Sequence, residues 1–156
     1  MRKALVAATV GLFFLGMTIT AYAQEQVSEK RKAEVKAFVE KAAAYMNANG
    51  KQKAYAAFND PKGQFVKGEL FIVAQGLDGV VLANGGLSQL IGMNLYSAKD
   101  ADGKAFVQEM INVAKTTGSG WVEYRFTNPA TKKLQPKLTY VQKIDDNECL
   151  LAGVYH

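Results

Sequence analysis

The stretch GWVEYRF at residues 120–126 decides the fold, together with KLTYV at residues 137–141 and LLAGVY at residues 150–155. All three are rich in β-branched, aromatic and other apolar residues, as β-strands are. The segments that join them, residues 128–136 and 145–147, contain Asn, Asp and Pro, which favour turns. The pattern therefore predicts three consecutive strands that pair as antiparallel neighbours.

The N-terminus predicts a secretory signal peptide. A basic start, Met1-Arg2-Lys3, precedes an uncharged and mostly apolar run over residues 4–20 and a small-x-small site at residues 21–23. Cleavage after Ala23 would leave one domain, residues 24–156, exported to a periplasm or secreted. The alternative is an uncleaved membrane anchor, but the apolar run is close to the lower limit of ~17 residues for a span.

The remaining segments predict three helices and one hairpin. The helices are expected at residues 26–48, 51–58 and 104–117, and the first has apolar residues at steps of three and four. Residues 70–74 and 80–84 are strand-like, and the turn between them, residues 75–79, contains Asp-Gly. We therefore predict an α+β fold: a five-stranded antiparallel sheet with the long N-terminal helix on one face and a loop-helix region on the other.

Charge and cysteine content restrict the function classes. The 19 basic and 14 acidic residues give a formal net charge of +5, or +3 once Arg2 and Lys3 leave with the signal peptide. This balance attracts small anions, but the basic residues are not clustered as in a nucleic-acid-binding surface, so no nucleic acid is predicted. Cys149 is the single cysteine and precedes two leucines, so we expect it to be buried and without a disulfide.

The sequence predicts no enzyme, cofactor or metal site. The single histidine, His156, is the last residue, and there is no His/Cys cluster with ligand spacing. The pair Gly85-Gly86 lacks the lysine and the following helix of a phosphate-binding loop. One enzymatic alternative stays open: an isomerase that uses a single carboxylate would require Glu69 or Glu123 in a pocket, with a raised pKa.

Residues 26–156 resemble a single Cache domain, a PAS-like extracellular sensor domain. The similar motifs, in chain order, are FIV with DG and VLAN at residues 71–84, GMNL at 92–95, GWVEY with NP at 120–129, KLTYV at 137–141 and GVY at 153–155. Asn84 departs from the family, in which many members have His at this position. Most members are external parts of membrane receptors or kinases, whereas this sequence reaches His156 directly after its last predicted strand. We therefore expect a free-standing exported sensor domain that signals through a separate membrane receptor or kinase.

The resemblance implies a ligand between the sheet and residues 85–96, and we expect a small organic acid such as acetate, propionate, lactate or pyruvate. A carboxylate needs a few fixed donors in a mostly apolar pocket, and Lys, Tyr and Trp supply them. Alternation places Trp121 and Tyr124 on opposite faces of their strand, and the sequence does not say which face meets the ligand. The candidate residues are Tyr124, Lys137 and Tyr140 as polar contacts, Phe71, Met93 and Trp121 as walls, and Asn84 as a further donor.

Each of these side chains is also compatible with an ordinary structural role. An alternative function is therefore a protein docking or structural module, with a homodimer formed through the first helix. That alternative predicts an exposed apolar stripe around Phe38 and Met46.

Overall fold

The computed structural model describes the backbone of residues 15–156 and the side chains of residues 29–156. The predicted signal peptide, residues 1–23, lies mainly outside this range. Residues 34–156 form one compact unit that contains the whole sheet, and the described residues before Glu34 form a separate helical unit. Within the described residues, no helix has the length and apolar character needed to span a membrane.

Three helices occur in the described chain: α1 Leu15–Asn49, α2 Lys51–Asn59 and α3 Phe106–Thr116. The helix α1 begins earlier than the predicted residue 26, because no proline interrupts the preceding segment. Gly50, with φ of +81°, joins α1 to α2 in a backbone conformation that other residues rarely adopt. From Glu34 onward the predicted apolar stripe of α1 is buried, including Phe38 and Met46 at 4% and 3% exposure. The exposed stripe expected of a docking module is therefore absent at these two residues.

The described strands are β1 Val66–Lys67, β2 Leu70–Phe71, β3 Val73–Gly76, β4 Val81–Asn84, β5 Ser119–Thr127, β6 Leu134–Lys143 and β7 Glu148–Tyr155. Five of them form one antiparallel sheet in the order β4-β3-β7-β6-β5, which confirms the predicted α+β architecture. The other two, β1 and β2, pair as a separate small hairpin. This hairpin was not predicted: residues 70–74 were expected to form a single strand, whereas Leu70 and Phe71 pair with β1 and the sheet strand begins only at Val73.

The two faces of the sheet carry two different hydrophobic cores. The core on the α1 and α2 side includes Ile72, Ala74, Tyr140, Leu150 and Ala152. The core on the α3 side includes Val122, Tyr124, Val141, Cys149 and Leu151. Cys149 is fully buried, as its position before two leucines predicted. Because successive strand residues point to opposite faces, four of the five sheet strands, β3, β5, β6 and β7, contribute to both cores.

The connection from β4 to α3, residues 85–105, covers part of the α3-side face. It includes a short 3-10 turn, Ser88–Leu90, and it is held to the sheet by backbone bonds. The amide of Val81 donates to the carbonyl of Met93 at 2.9 Å, and the amide of Gly92 donates to the carbonyl of Val81 at 2.8 Å. These bonds keep the connection close to β4 and leave a cavity behind it.

Candidate ligand-binding cavity

A cavity of about 60 Å³ lies on the α3-side face of the sheet. Most of its lining is apolar and comes from the sheet, the β4–α3 connection and α3: Phe71, Val73, Val81, Leu87, Leu90, Leu95, Phe106, Val107, Met110, Phe126 and Leu151. Five polar side chains also reach it: Gln75, Asn84, Tyr124, Lys137 and Thr139. Because one water needs about 10–15 Å³ of such space, there is room for about four to six non-hydrogen atoms.

The buried ammonium of Lys137 is the main charged group of the cavity. The residue is 6% exposed. Its Nζ lies 4.8 Å from the ring centroid of Tyr155, 4.9 Å from that of Phe71 and 5.7 Å from that of Phe126. Within the described chain, no residue forms a salt bridge or hydrogen bond with this Nζ. Aromatic faces attract the cation, but the anion that a buried ammonium normally pairs with is not supplied by these side chains.

Burial also sets the proton affinity of Lys137. Loss of solvation lowers its pKa to about 8, and the negative charge of the half-buried Glu69 opposes this change. At neutral pH the amine therefore still carries its proton. An anionic group that enters the cavity would meet a charged donor.

Tyr124 and Thr139 form a neutral polar pair beside the lysine. The hydroxyl of Thr139 donates to the hydroxyl of Tyr124 at 3.4 Å, and the Tyr124 ring stacks on Phe106 with centroids 4.4 Å apart. Burial raises the pKa of Tyr124 to about 12, so its hydroxyl keeps its proton at neutral pH. Gly153 leaves the space for this pair, since a Cβ there would lie 3.0 Å from Cε of Lys137 and also press on Thr139.

Asn84 shapes the connection above the cavity. Its Oδ1 accepts hydrogen bonds from the amides of Gly86 at 3.1 Å and Leu87 at 2.8 Å. Its own backbone amide donates to Oδ1 of Asn59 at 2.8 Å. The side-chain oxygen of Asn84 is thus used to form the turn, and its Nδ2 is the group left to donate to a ligand.

The family model of single Cache domain 2 matches residues 15–155 of this chain. The chain belongs to the single Cache domain family. Cache domains are sensor domains, so membership assigns a ligand-binding sensor role to this chain.

Solved structures support the same fold. A methyl-accepting chemotaxis protein from Vibrio parahaemolyticus has a TM-score of 0.73 and 21% identity, over 86% of this chain and 95% of that chain. A periplasmic sensor domain of a chemotaxis protein has a TM-score of 0.62 and 22% identity, over 87% and 96%. A structure described as the basis for carboxylic acid recognition by a Cache chemosensory domain has a TM-score of 0.67 and 24% identity, over 86% and 97%.

The Cache domain brings four of the seven predicted site residues to the cavity: Phe71, Asn84, Tyr124 and Lys137. Two others, Trp121 and Tyr140, lie on the opposite face in the α1-side core, with ring centroids 5.0 Å apart. Tyr140 is three positions from Lys137 and Trp121 is three from Tyr124, and an odd separation along a strand reverses the face. We therefore remove Trp121 and Tyr140 from the candidate site.

Met93 is also outside the cavity. Its main chain bonds to β4, but its side chain is 49% exposed. Conversely, Gln75 and Thr139 line the cavity and were not predicted. Alternation from Val73 and from Lys137 would have placed both on the cavity face.

The carboxylates needed by the enzymatic alternative are not buried. Glu69 is half-buried and the side chain of Glu123 is 59% exposed. Glu148 is buried at 1% exposure, but it lies 2.7 Å from Nζ of Lys51 and accepts a hydrogen bond from Tyr55. Among the described side chains, no group of three or more His, Cys, Asp and Glu residues is arranged to hold a metal ion.

Proposed function

We propose that this Cache domain binds a small organic acid, such as acetate, propionate, lactate or pyruvate, with its carboxylate on Lys137. The observation that carries the proposal is the ammonium of Lys137, which is 6% exposed, lies among aromatic rings and forms no salt bridge or hydrogen bond with a described residue. The charge of Glu69 acts on it only without direct contact. A carboxylate would supply charge-assisted hydrogen bonds, which are about twice as strong as neutral ones. Tyr124, Thr139 and Asn84 add neutral polar groups around it.

The size of the cavity favours short acids. Its 60 Å³ match molecules in the range from acetate to lactate or pyruvate, and larger ligands would have to displace the β4–α3 connection. The apolar walls then contact the hydrocarbon part of the acid, as in most small-molecule sites. The description of a solved Cache domain as recognising carboxylic acids also supports this ligand class.

The charge of the lining argues against amino acids and amines. Among the residues that line the cavity, none is acidic. A ligand ammonium would therefore lose its hydration without gaining a carboxylate, and it would be repelled by Lys137. We expect acids that lack an amino group to bind more tightly than their amino-acid counterparts.

Location and signalling belong to the same proposal. The predicted signal peptide would deliver the domain to a periplasm or outside the cell, and a separate membrane receptor or kinase would read its occupancy. A homodimer through α1 is less favoured as the main role, because Phe38 and Met46 are buried against the sheet of the same chain.

A thermal-shift screen tests the proposal. The purified protein would be melted with millimolar acetate, propionate, lactate, pyruvate, alanine and ethylamine. A ligand at about 100 times its dissociation constant adds ~2.7 kcal/mol of stability, enough to raise the melting temperature by several degrees. We expect a shift with at least one acid, none with ethylamine, and loss of the shift in Lys137→Met.

The matched control is Lys53→Met, which removes the same charge from an exposed position on α2. It should keep the full ligand response. A flat response of the wild-type protein to every acid would overturn the proposal, as would equal shifts in wild type and Lys137→Met.

A further inference from the structure

Gln75 has a buried side-chain amide whose nitrogen the fold leaves without a hydrogen-bond acceptor. The residue is 3% exposed, and its Nε2 has no hydrogen-bond partner among the described residues. Nearly all buried polar side-chain atoms in proteins have a partner, because an unpaired one loses its hydration without compensation. Since Gln75 also lines the cavity, the missing acceptor is to be sought in the ligand.

Gln75 and Lys137 approach the cavity from different levels of the sheet. Gln75 on β3 is the register partner of Cys149 on β7, whereas Lys137 on β6 is the register partner of Tyr155, which is also on β7. With a rise of about 3.3 Å per residue, these two positions are on the order of 20 Å apart along β7. Both side chains nevertheless line one cavity, so they reach it from opposite ends.

We propose that Gln75 is a specificity-determining residue whose Nε2 donates a hydrogen bond to an oxygen at the end of the ligand remote from its carboxylate. This rests on the proposed function, in which Lys137 holds the carboxylate. The preferred ligand class is then a short acid with a hydroxyl or carbonyl oxygen beyond the carbon next to the carboxylate. An unsubstituted fatty acid would leave the amide unpaired.

The physical basis is the asymmetry between polar and apolar pockets. An apolar pocket discriminates weakly between ligands that differ by a hydroxyl, whereas a site built to donate to that hydroxyl strongly rejects the analogue without it. Because Gln75 lies in the interior, a ligand that fills the cavity without offering an acceptor leaves the amide unpaired. The cost of an unpaired amide therefore falls on the wrong ligand.

Two acids of nearly equal size test the proposal: 3-hydroxypropionate has a hydroxyl where butyrate has a methyl. Dissociation constants of both would be measured by calorimetry for the full-length wild-type protein and for Gln75→Met, which keeps an unbranched side chain. We expect the wild type to prefer 3-hydroxypropionate by about tenfold or more. In Gln75→Met this ratio should fall to about one or reverse, mainly because butyrate binds more tightly.

A second pair controls for the position of the oxygen. Lactate and isobutyrate differ in the same way at the carbon next to the carboxylate, which lies at the Lys137 end. The Gln75→Met substitution should leave the ratio of their affinities unchanged. A change in this ratio and none in the first pair would contradict the proposal.

The other outcomes are also decisive. Equal binding of 3-hydroxypropionate and butyrate by the wild type overturns the role of Gln75, and this measurement does not depend on whether the variant folds. The same holds if Gln75→Met weakens both ligands equally. In both cases, acid binding that is lost in Lys137→Met would leave the proposed function intact. Failure of every acid to bind would overturn the function and the role of Gln75 together.

Discussion

Lys137 and Tyr155 face each other as register partners on β6 and β7, and the lysine Nζ lies 4.8 Å from the centroid of the tyrosine ring. The ring is held in place, because its hydroxyl donates to the carbonyl of Thr127 at 3.3 Å. Phe71 on β2 and Phe126 on β5 complete the aromatic surroundings of the ammonium. The cation is thus positioned by three separate strands, which fixes where an anion can meet it.

Removal of the ammonium should weaken acid binding strongly. For Lys137→Met we expect affinity for the best acid to fall by about 10- to 100-fold, since hydrogen bonds to charged groups contribute about 1.5–3 kcal/mol. Calorimetric titration of wild type, Lys137→Met and Lys53→Met measures this loss. An unchanged dissociation constant in Lys137→Met would exclude the lysine from the site.

Acid binding should weaken as pH rises through about 8. The pKa of Lys137 in the free protein is lowered to about 8 by burial, whereas a small carboxylic acid is fully ionised throughout this range. Above that pH the free amine becomes neutral and no longer attracts the carboxylate. Affinities measured between pH 6.5 and 9.5 should fall progressively in the wild type, and a flat profile would contradict the role of the ammonium.

The stability of the free protein, unlike its affinity for acids, should increase as pH rises, as far as Lys137 is concerned. Because the folded-state pKa of Lys137 lies below the unfolded value near 10.5, the unfolded chain binds more protons between about pH 8 and 10.5. The contribution of this group to stability is therefore complete above the unfolded pKa and is lost as pH falls through about 8. Cys149 and Tyr124, whose pKa values burial raises to about 12, act in the other direction at high pH.

The comparison with Lys137→Met isolates the lysine from these other groups. Chemical denaturation at several pH values should show the wild type gaining about 2–3 kcal/mol relative to the variant as pH rises from 7.5 to 10. A constant difference between the two proteins would mean that the amine is not buried in the folded state.

Tyr124 and Tyr140 should respond differently to loss of the hydroxyl. Tyr124→Phe removes a polar group of the cavity and should weaken acid binding by about five- to tenfold. Tyr140→Phe changes the opposite face, in the core with α1, and should leave affinity unchanged. Both dissociation constants come from the same calorimetric series. A larger effect of Tyr140→Phe would contradict the proposed site, because it would place the ligand on the α1-side face of the sheet.

Gly153→Ala should reduce affinity by filling the cavity floor. The added methyl group would lie 3.0 Å from Cε of Lys137 and 2.8 Å from the carbonyl oxygen of Leu138, so the lysine and its strand must shift. We expect a loss of stability of about 1–3 kcal/mol and weaker binding of every acid. Denaturation and binding curves of this variant check both expectations, and unaltered affinity would show that the ligand does not approach Gly153.

Loss of the ion pair between Lys51 and Glu148, which lies outside the cavity, should affect stability but not acid binding. Lys51 lies 2.7 Å from the buried Glu148 and 2.6 Å from Asp145, and it ties the start of α2 to the β6–β7 turn. Lys51→Met leaves the Glu148 carboxylate without its cation and should lower stability by about 1–3 kcal/mol. Acid affinity should not change. Lys53→Met, two positions away and exposed, is the control for the charge itself.

The fold was predictable because local patterns and chain order agree. The strand patterns around Trp121, Tyr140 and Leu151 and the Asp78-Gly79 turn determine an antiparallel sheet without reference to distant contacts. The site was predicted less well. Strand alternation already places Lys137 and Tyr140 on opposite faces of β6, so these two residues could not both be polar contacts of one pocket.

The placement of two other residues, Gln75 and Met93, depends on where a strand ends and on the path of a loop, which local sequence patterns do not determine. Gln75 was assigned to a turn at residues 75–79, whereas β3 continues to Gly76 and directs this side chain into the cavity. Met93 was assigned to the wall because its segment covers the cavity. The course of the backbone, set by its bonds to Val81, instead turns its side chain to solvent.

A crystal structure of the protein with the acid that gives the largest thermal shift tests the central proposal most directly. We predict that the ligand carboxylate will lie within hydrogen-bond distance of Nζ of Lys137, close to the aromatic side chains of Phe71, Phe126 and Tyr155. A carboxylate bound elsewhere, for example at Arg125 on the surface of β5, with the Lys137 cavity filled by water or side chains, would contradict it.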